Sequence, residues 1–147
     1  MDSPLLRTEL LLGSDAMDRL RRSHVCVFGL GGVGGYAVEA LVRSGVGTLD
    51  IVDNDTVDIT NINRQIIATR KTVGKYKAEV MAERMREINP DVDIRIHKCF
   101  FLPENEIEFP FKEYDYIVDA VDTVTAKLAL VMKAQELHIP IICSMIA

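Results

Sequence analysis

Apolar positions along the chain follow two rhythms. Short runs of apolar or alternating residues stand at 25–28, 48–52, 92–96, 116–118 and 139–143. Between them, apolar residues return every three or four positions, as on one face of a helix. Val33 to Ser44 is one such segment, and 75–88 is another, with Ala78, Met81, Ala82, Met85 and Ile88 in step. The second closes at Asn89-Pro90, because proline disfavours helical geometry in the residue before it. A third helix is expected from Thr123 to His138, with Val124, Leu128, Val131 and Met132 inward and Asp122 or Thr123 as its cap. Met81, Met85 and Met132 are then core side chains. A further helix is expected from Ser14 to Leu20. Strands alternating with helices predict an α/β fold, a doubly wound and mostly parallel sheet. The pattern divides the chain into an N-terminal arm and helix, 1–24, and a sheet-forming domain, 25–147, that is expected to stop after its fifth strand. Residues 100–114 carry two prolines and several acids and read as a surface loop with one helical turn.

Composition narrows this picture. At 147 residues and 48% hydrophobic content, the chain can bury one domain's core. Its net charge of −5 argues against a surface uniformly built for nucleic acid. No stretch has membrane length, and Arg7 and Glu9 interrupt the early "LLRTELLLG", so no membrane partner and a cytoplasmic location are expected. Cys26, Cys99 and Cys143 form no C-x-x-C pair and read as core or near-core thiols. His24, His97 and His138 sit at element edges and suggest no triad.

Candidate chemistry begins at "GLGGVGG", residues 29–35. Gly29, Gly31 and Gly34 have G-x-G-x-x-G spacing, follow an apolar strand and open a helix, which is the context of a dinucleotide-binding turn. Glycine there lets phosphate oxygens approach backbone N–H groups at the positive end of the helix. Asp53 closes the next strand, where a carboxylate would grip ribose hydroxyls. These signals say adenine nucleotide without saying which one.

The stretch that follows tips the balance. From Ile59 to Ala78 there are five cations, Arg64, Arg70, Lys71, Lys75 and Lys77, and no acid. A nicotinamide cofactor presents a pyrophosphate that backbone amides largely satisfy. The extra cations imply the phosphates of ATP, with a magnesium ion held by Asp122, which ends the strand in "IVDAVDT". The competing readings are that Asp119 and Asp122 only cap a helix, and that Lys71 and Lys75 are solvated surface. A NAD-dependent oxidoreductase and a non-catalytic nucleotide-binding role stay open on these residues alone.

In order, "GLGGVG", "VDNDTV", "TNINRQ", "VGKYKAE" and "DAVDT" resemble the nucleotide-binding half of the ubiquitin-activating-like adenylating enzymes, which include the thiamine and molybdopterin sulfur-carrier adenylyltransferases. The stretch "ATRKTVG…KAEVMAERMREINP" is most similar to the tRNA threonylcarbamoyladenosine dehydratase branch. The resemblance runs from Arg7 onward and implies that the family's C-terminal half is absent from these residues. It implies that Gly29, Gly31, Gly32 and Gly34 cradle ATP, and that Asp53 holds the ribose. Asp55, Asn61, Arg64 and Gln65 then line the nucleotide site, Lys77 meets the reacting phosphate and Asp122 binds Mg2+. Arg7 would reach into a partner's site, so a homodimer is implied, with Arg64, Lys77 and Arg7 as the catalytic set. The implied reaction is ATP-dependent adenylation of a carboxylate, that of threonylcarbamoyladenosine in tRNA, followed by cyclisation with net dehydration. The alternative substrate is the C-terminus of a ubiquitin-like carrier protein. A sulfur-relay partner is a further implication.

Overall fold

A computed structural model describes residues 3–145; Met1, Asp2, Ile146 and Ala147, which the two expected divisions include, lie outside the described residues. Two short helices, α1 (Leu6–Leu12) and α2 (Ser14–Arg22), lead into β1 (His24–Phe28). Then come α3 (Gly34–Arg43), β2 (Thr48–Val52), α4 (Lys77–Ile88), β3 (Asp93–His97), β4 (Tyr116–Asp119), α5 (Val124–Leu137) and β5 (Ile141–Cys143). The five strands form one sheet in the order β3-β2-β1-β4-β5, every pair parallel. That is the doubly wound arrangement. Because the chain leaves β1 toward β2 on one side and later returns to β4 on the other, a crevice opens at the carboxyl ends of β1 and β4.

The alternation of a strand explains the two cores. Val25 and Val27 face the side covered by α3 and α4, where Val38, Val42, Met81 and Met85 are fully buried or nearly so. Cys26 and Phe28 face the opposite side, with Ile117 and Leu130. Buried thioethers fill irregular gaps, and removing each of Met81 and Met85 from water is worth about 1.5–3 kcal/mol.

Four expectations change here. Residues 100–114 lie mostly at the surface, as expected, but are more than a surface loop. Around two 3-10 turns, Pro103–Glu108 and Phe111–Glu113, this segment places Phe101, Phe109, Phe111 and Tyr114 in the second core; the three phenylalanines pack on Phe28 with ring centroids 5.3–6.1 Å apart, and Tyr114 packs on Phe111. The inward face of α5 is Ala126, Leu130 and Ala134, whereas Val124, Leu128, Val131 and Met132 point to solvent. Met132 is therefore not a core residue. Residues at i, i+4 and i+8 share one face of a helix, and here that face is two alanines around Leu130, which is fully buried against the second core. Cys143 is exposed while Cys26 is buried, since β5 is the sheet's edge. Finally, Thr123 at the start of α5 makes no side-chain capping bond.

The histidines also do more than sit at element edges. Asp50, fully buried in β2, accepts from His24 Nε2 (2.6 Å), His97 Nε2 (2.7 Å) and Tyr114 Oη (2.9 Å). Burial alone would push this carboxyl up, but the three donors outweigh it and hold it below the ordinary range. The network ties the aromatic segment to the sheet.

Candidate functional site

A cavity of about 470 Å³ occupies the crevice. Its floor is the glycine turn. Gly29 has φ +94°, and a Cβ there would lie 2.5 Å from the carbonyl oxygen of Ala120. A Cβ on Gly34 would fall onto the carbonyl of Gly29. These two glycines therefore serve close backbone packing between the turn, α3 and β4. At Gly31 and Gly32 the nearest atoms to an added Cβ belong to Gln65 and Arg64, 3.8 and 3.6 Å away, so their open faces form the cradle itself.

Asp53 stands at the end of β2 and is 5% exposed. Its Oδ2 accepts from Leu30 N–H (2.8 Å) and its Oδ1 from Asp55 N–H (2.7 Å). Burial raises its pKa, and the two backbone donors and the charge of Lys77 only partly counter this. The carboxylate thus shapes the glycine turn as well as lining the cavity. Each oxygen retains a second acceptor position.

The polar wall comes from the irregular segment after β2. A 3-10 turn, Ile59–Asn61, is closed by a capping box in which Asp58 accepts from Thr60 N–H and Asn61 Oδ1 accepts from Asp58 N–H (2.8 Å). This fixes Asn61, buried at the cavity edge, and leaves its amide to donate. Arg64 is exposed on the same turn, with Nη1 donating to Thr60 O and Asn63 Oδ1, both at 3.0 Å. Gln65 is 6% exposed, and its Oε1 has no hydrogen-bond partner among the described residues. A buried acceptor without a partner calls for an explanation, and the residue that carries it lines the cavity. Lys77 opens α4 with its ammonium buried against the cavity, 3.9 Å from the carboxylate of exposed Asp55. Arg70, Lys71 and Lys75 are exposed and lie outside the cavity lining.

The opposite wall is the loop Ala120–Thr123, between β4 and α5, which carries Asp122. The apolar end is Phe28, Val52, Phe100, Phe101 and Leu102. This last trio was not singled out by the sequence. Its signal was there, however, because "CFFLP" is too apolar for the surface loop assigned to it. Arg7 stands exposed on α1 and is not among the lining residues.

The donor set of the described residues has no ready-made metal cage but does offer cavity carboxylates. Among the described residues no group of three or more His, Cys, Asp or Glu side chains could hold a metal ion. One such carboxylate, as on Asp122, with phosphate oxygens completing the shell would suit the habit of Mg2+. No helix of the described residues is long and apolar enough to cross a membrane.

A glycine cradle, a buried aspartate at the next strand end and cations converging from the third side define a nucleotide-binding α/β protein. The chain belongs to the ThiF family, whose sequence model matches residues 4–147. It is similar to tRNA threonylcarbamoyladenosine dehydratase of Haemophilus influenzae, 45% identical over 87% of this chain and 49% of that protein. The Bacillus subtilis protein of the same name is 43% identical over 95% of this chain and 55% of its own length. A crystal structure of the E. coli tRNA N6-threonylcarbamoyladenosine dehydratase in complex with ATP superposes with a TM-score of 0.93 at 41% identity, covering 95% of this chain and 58% of that one. The chain spans about half the length of the curated relatives it matches.

Proposed function

We propose that the cavity binds ATP with magnesium and that the protein to which this chain contributes adenylates a carboxylate. The observation that carries this reading is Lys77: a buried ammonium in the cavity lining, whose nearest carboxylate is 3.9 Å away, supports a ligand with more phosphate charge than the pyrophosphate of NAD. Arg64, Asn61 and Gln65 border the same space, and the apolar end suits a purine base. Magnesium, when held by Asp122, would neutralise phosphate charge. The catalytic set of this reading is Arg64, Lys77 and Arg7.

The substrate proposed is the threonylcarbamoyl group on a tRNA adenosine, in keeping with the relatives' names. Its carboxylate is ionised at neutral pH and needs no general base. Attack on the α-phosphorus expels pyrophosphate. The side-chain chain of Arg64 and Lys77 then has one task, to orient the phosphates and meet the charge that develops on them. Ring closure on the activated acyl group releases AMP, for a net loss of water. Exposed Arg70, Lys71 and Lys75 offer contacts for tRNA phosphates. A homodimer in which Arg7 completes the partner's site belongs to the same reading, supported by α1, on which Leu10 and Leu11 are 77% and 83% exposed.

Calorimetric titration with Mg-ATP and with NAD tests the first step. Mg-ATP binds more tightly if the reading is right, and preference for NAD overturns it. AMP release from ATP in the presence of modified tRNA, with mass analysis of the nucleoside, tests the second.

A further inference from the structure

Lys127 is not among the cavity-lining residues and is partly buried, with 11% of its side chain exposed. Its ammonium donates to Asp119 Oδ2 (3.2 Å) and to the main-chain oxygen of Ser144 (2.7 Å). Asp119 is fully buried at the end of β4. Its Oδ1 accepts from Val121 N–H (3.1 Å), and its main-chain oxygen accepts from Ser144 N–H (2.8 Å). One charge pair therefore joins the end of β4, the second turn of α5 and the residue after β5. Between the two partners runs Ala120–Ala126, whose first four residues form a cavity wall and include Asp122. The side chain of Thr123 does not anchor the start of α5, so this wall is held at its ends by the pair.

Stability alone is a poor reason for such a pair. A buried ion pair repays its desolvation only when its geometry is good, and apolar replacements are often as stable. We propose that Lys127, acting through Asp119, is a positioning residue that fixes where the Asp122 carboxylate stands against the glycine turn. Ala120 packs against Gly29, which fixes the near end of the wall, so a change at the Lys127 end moves Asp122 and leaves the glycine cradle in place. This inference rests on the reading of the cavity as an ATP and magnesium site.

The test is calorimetric titration of ATP with and without Mg2+ on the wild type, Lys127→Arg, Lys127→Met and the double variant Asp119→Asn/Lys127→Met. Lys127→Met strands the Asp119 charge and risks misfolding. The double variant removes both charges and keeps the test valid. Metal-free ATP affinity is expected to be unchanged throughout. The gain in affinity that magnesium brings should fall about tenfold to hundredfold in Lys127→Met and in the double variant, and persist in Lys127→Arg. A double variant with the full magnesium gain overturns the positioning role and leaves the nucleotide reading intact. A wild type that binds no ATP, or gains nothing from magnesium, overturns the inference through the reading beneath it.

Discussion

Two glycines of the turn between β1 and α3 should respond in opposite ways to the same added methyl group. A Cβ on Gly34 would lie 2.7 Å from the carbonyl carbon of Gly29, closer still to its oxygen, and 3.4 Å from the Ala120 Cβ. Carbon atoms rest at about 3.5–4.0 Å, so the overlap is roughly 1 Å and falls on backbone. No rotamer relieves it. Either the turn opens or α3 withdraws from β1. Overpacking costs about 1–3 kcal/mol where side chains can give, so Gly34→Ala is expected to lose about 3 kcal/mol or more. Gly31 is the contrast. It has no positive φ, and the atom nearest to its added Cβ is Gln65 Nε2 at 3.8 Å. Alanine there should change stability by no more than about +0.4–1 kcal/mol, through the unfolded chain. Its methyl would nevertheless stand in the phosphate cradle, and ATP affinity should fall at least about tenfold, which is about 1.4 kcal/mol. Urea unfolding followed by circular dichroism reads the first quantity, and calorimetric ATP titration reads the second. Gly34→Ala unfolding at the wild-type midpoint, or Gly31→Ala binding ATP as tightly as wild type, would refute the reasoning.

Asp53→Ala removes two short backbone hydrogen bonds and the proposed ribose contact, so it should cost about 2–4 kcal/mol of stability as well as nucleotide affinity; a variant that loses neither would remove Asp53 from the site. Lys77→Met should cut AMP release with modified tRNA by about a hundredfold or more while ATP affinity changes far less, and near-normal turnover would show that this lysine is not at the reacting phosphate. Glu39 bridges α3 and α4 by accepting from Arg84 Nε (2.6 Å) and Arg43 Nε (3.1 Å). The Arg84 bond chiefly holds its carboxyl below the ordinary 4.5, so its stabilisation is complete above that value and is lost as pH falls through the lower folded one. Glu39→Gln should therefore cost about 1–2 kcal/mol at neutral pH and progressively less in acid, which parallel melting curves across that range would test.

What could be read in the sequence follows from the range over which each feature is encoded. The strands and α4 were legible because period-two and period-3.6 burial write themselves into neighbouring residues. The glycine turn was legible because only glycine survives where Gly34 meets Gly29. The face of α5 was not, for a physical reason: in VTAKLALVMKAQEL every side carries apolar residues, so periodicity has no contrast to report. The apolar residues Val124, Leu128, Val131 and Met132 suggested the inward face, whereas the buried face is Ala126, Leu130 and Ala134. The aromatic segment escaped notice because its 3-10 turns impose no helical or strand period on Phe101, Phe109 and Phe111.

Asp50 marks the limit most sharply. Its three donors lie 26, 47 and 64 residues away along the chain. No local pattern can announce such a site. They converge because the strand order sets β2 between β1 and β3, and because the aromatic segment folds back over the sheet with Tyr114. The apolar wall of the cavity has the same origin. Phe100, Phe101 and Leu102 reach the site by following β3, beside the strand whose end carries Asp53. The phosphate-binding half of the site is thus encoded in contiguous motifs, and the apolar half in topology. A sequence reading therefore finds the groups that would meet phosphate before it finds the surface suited to the base.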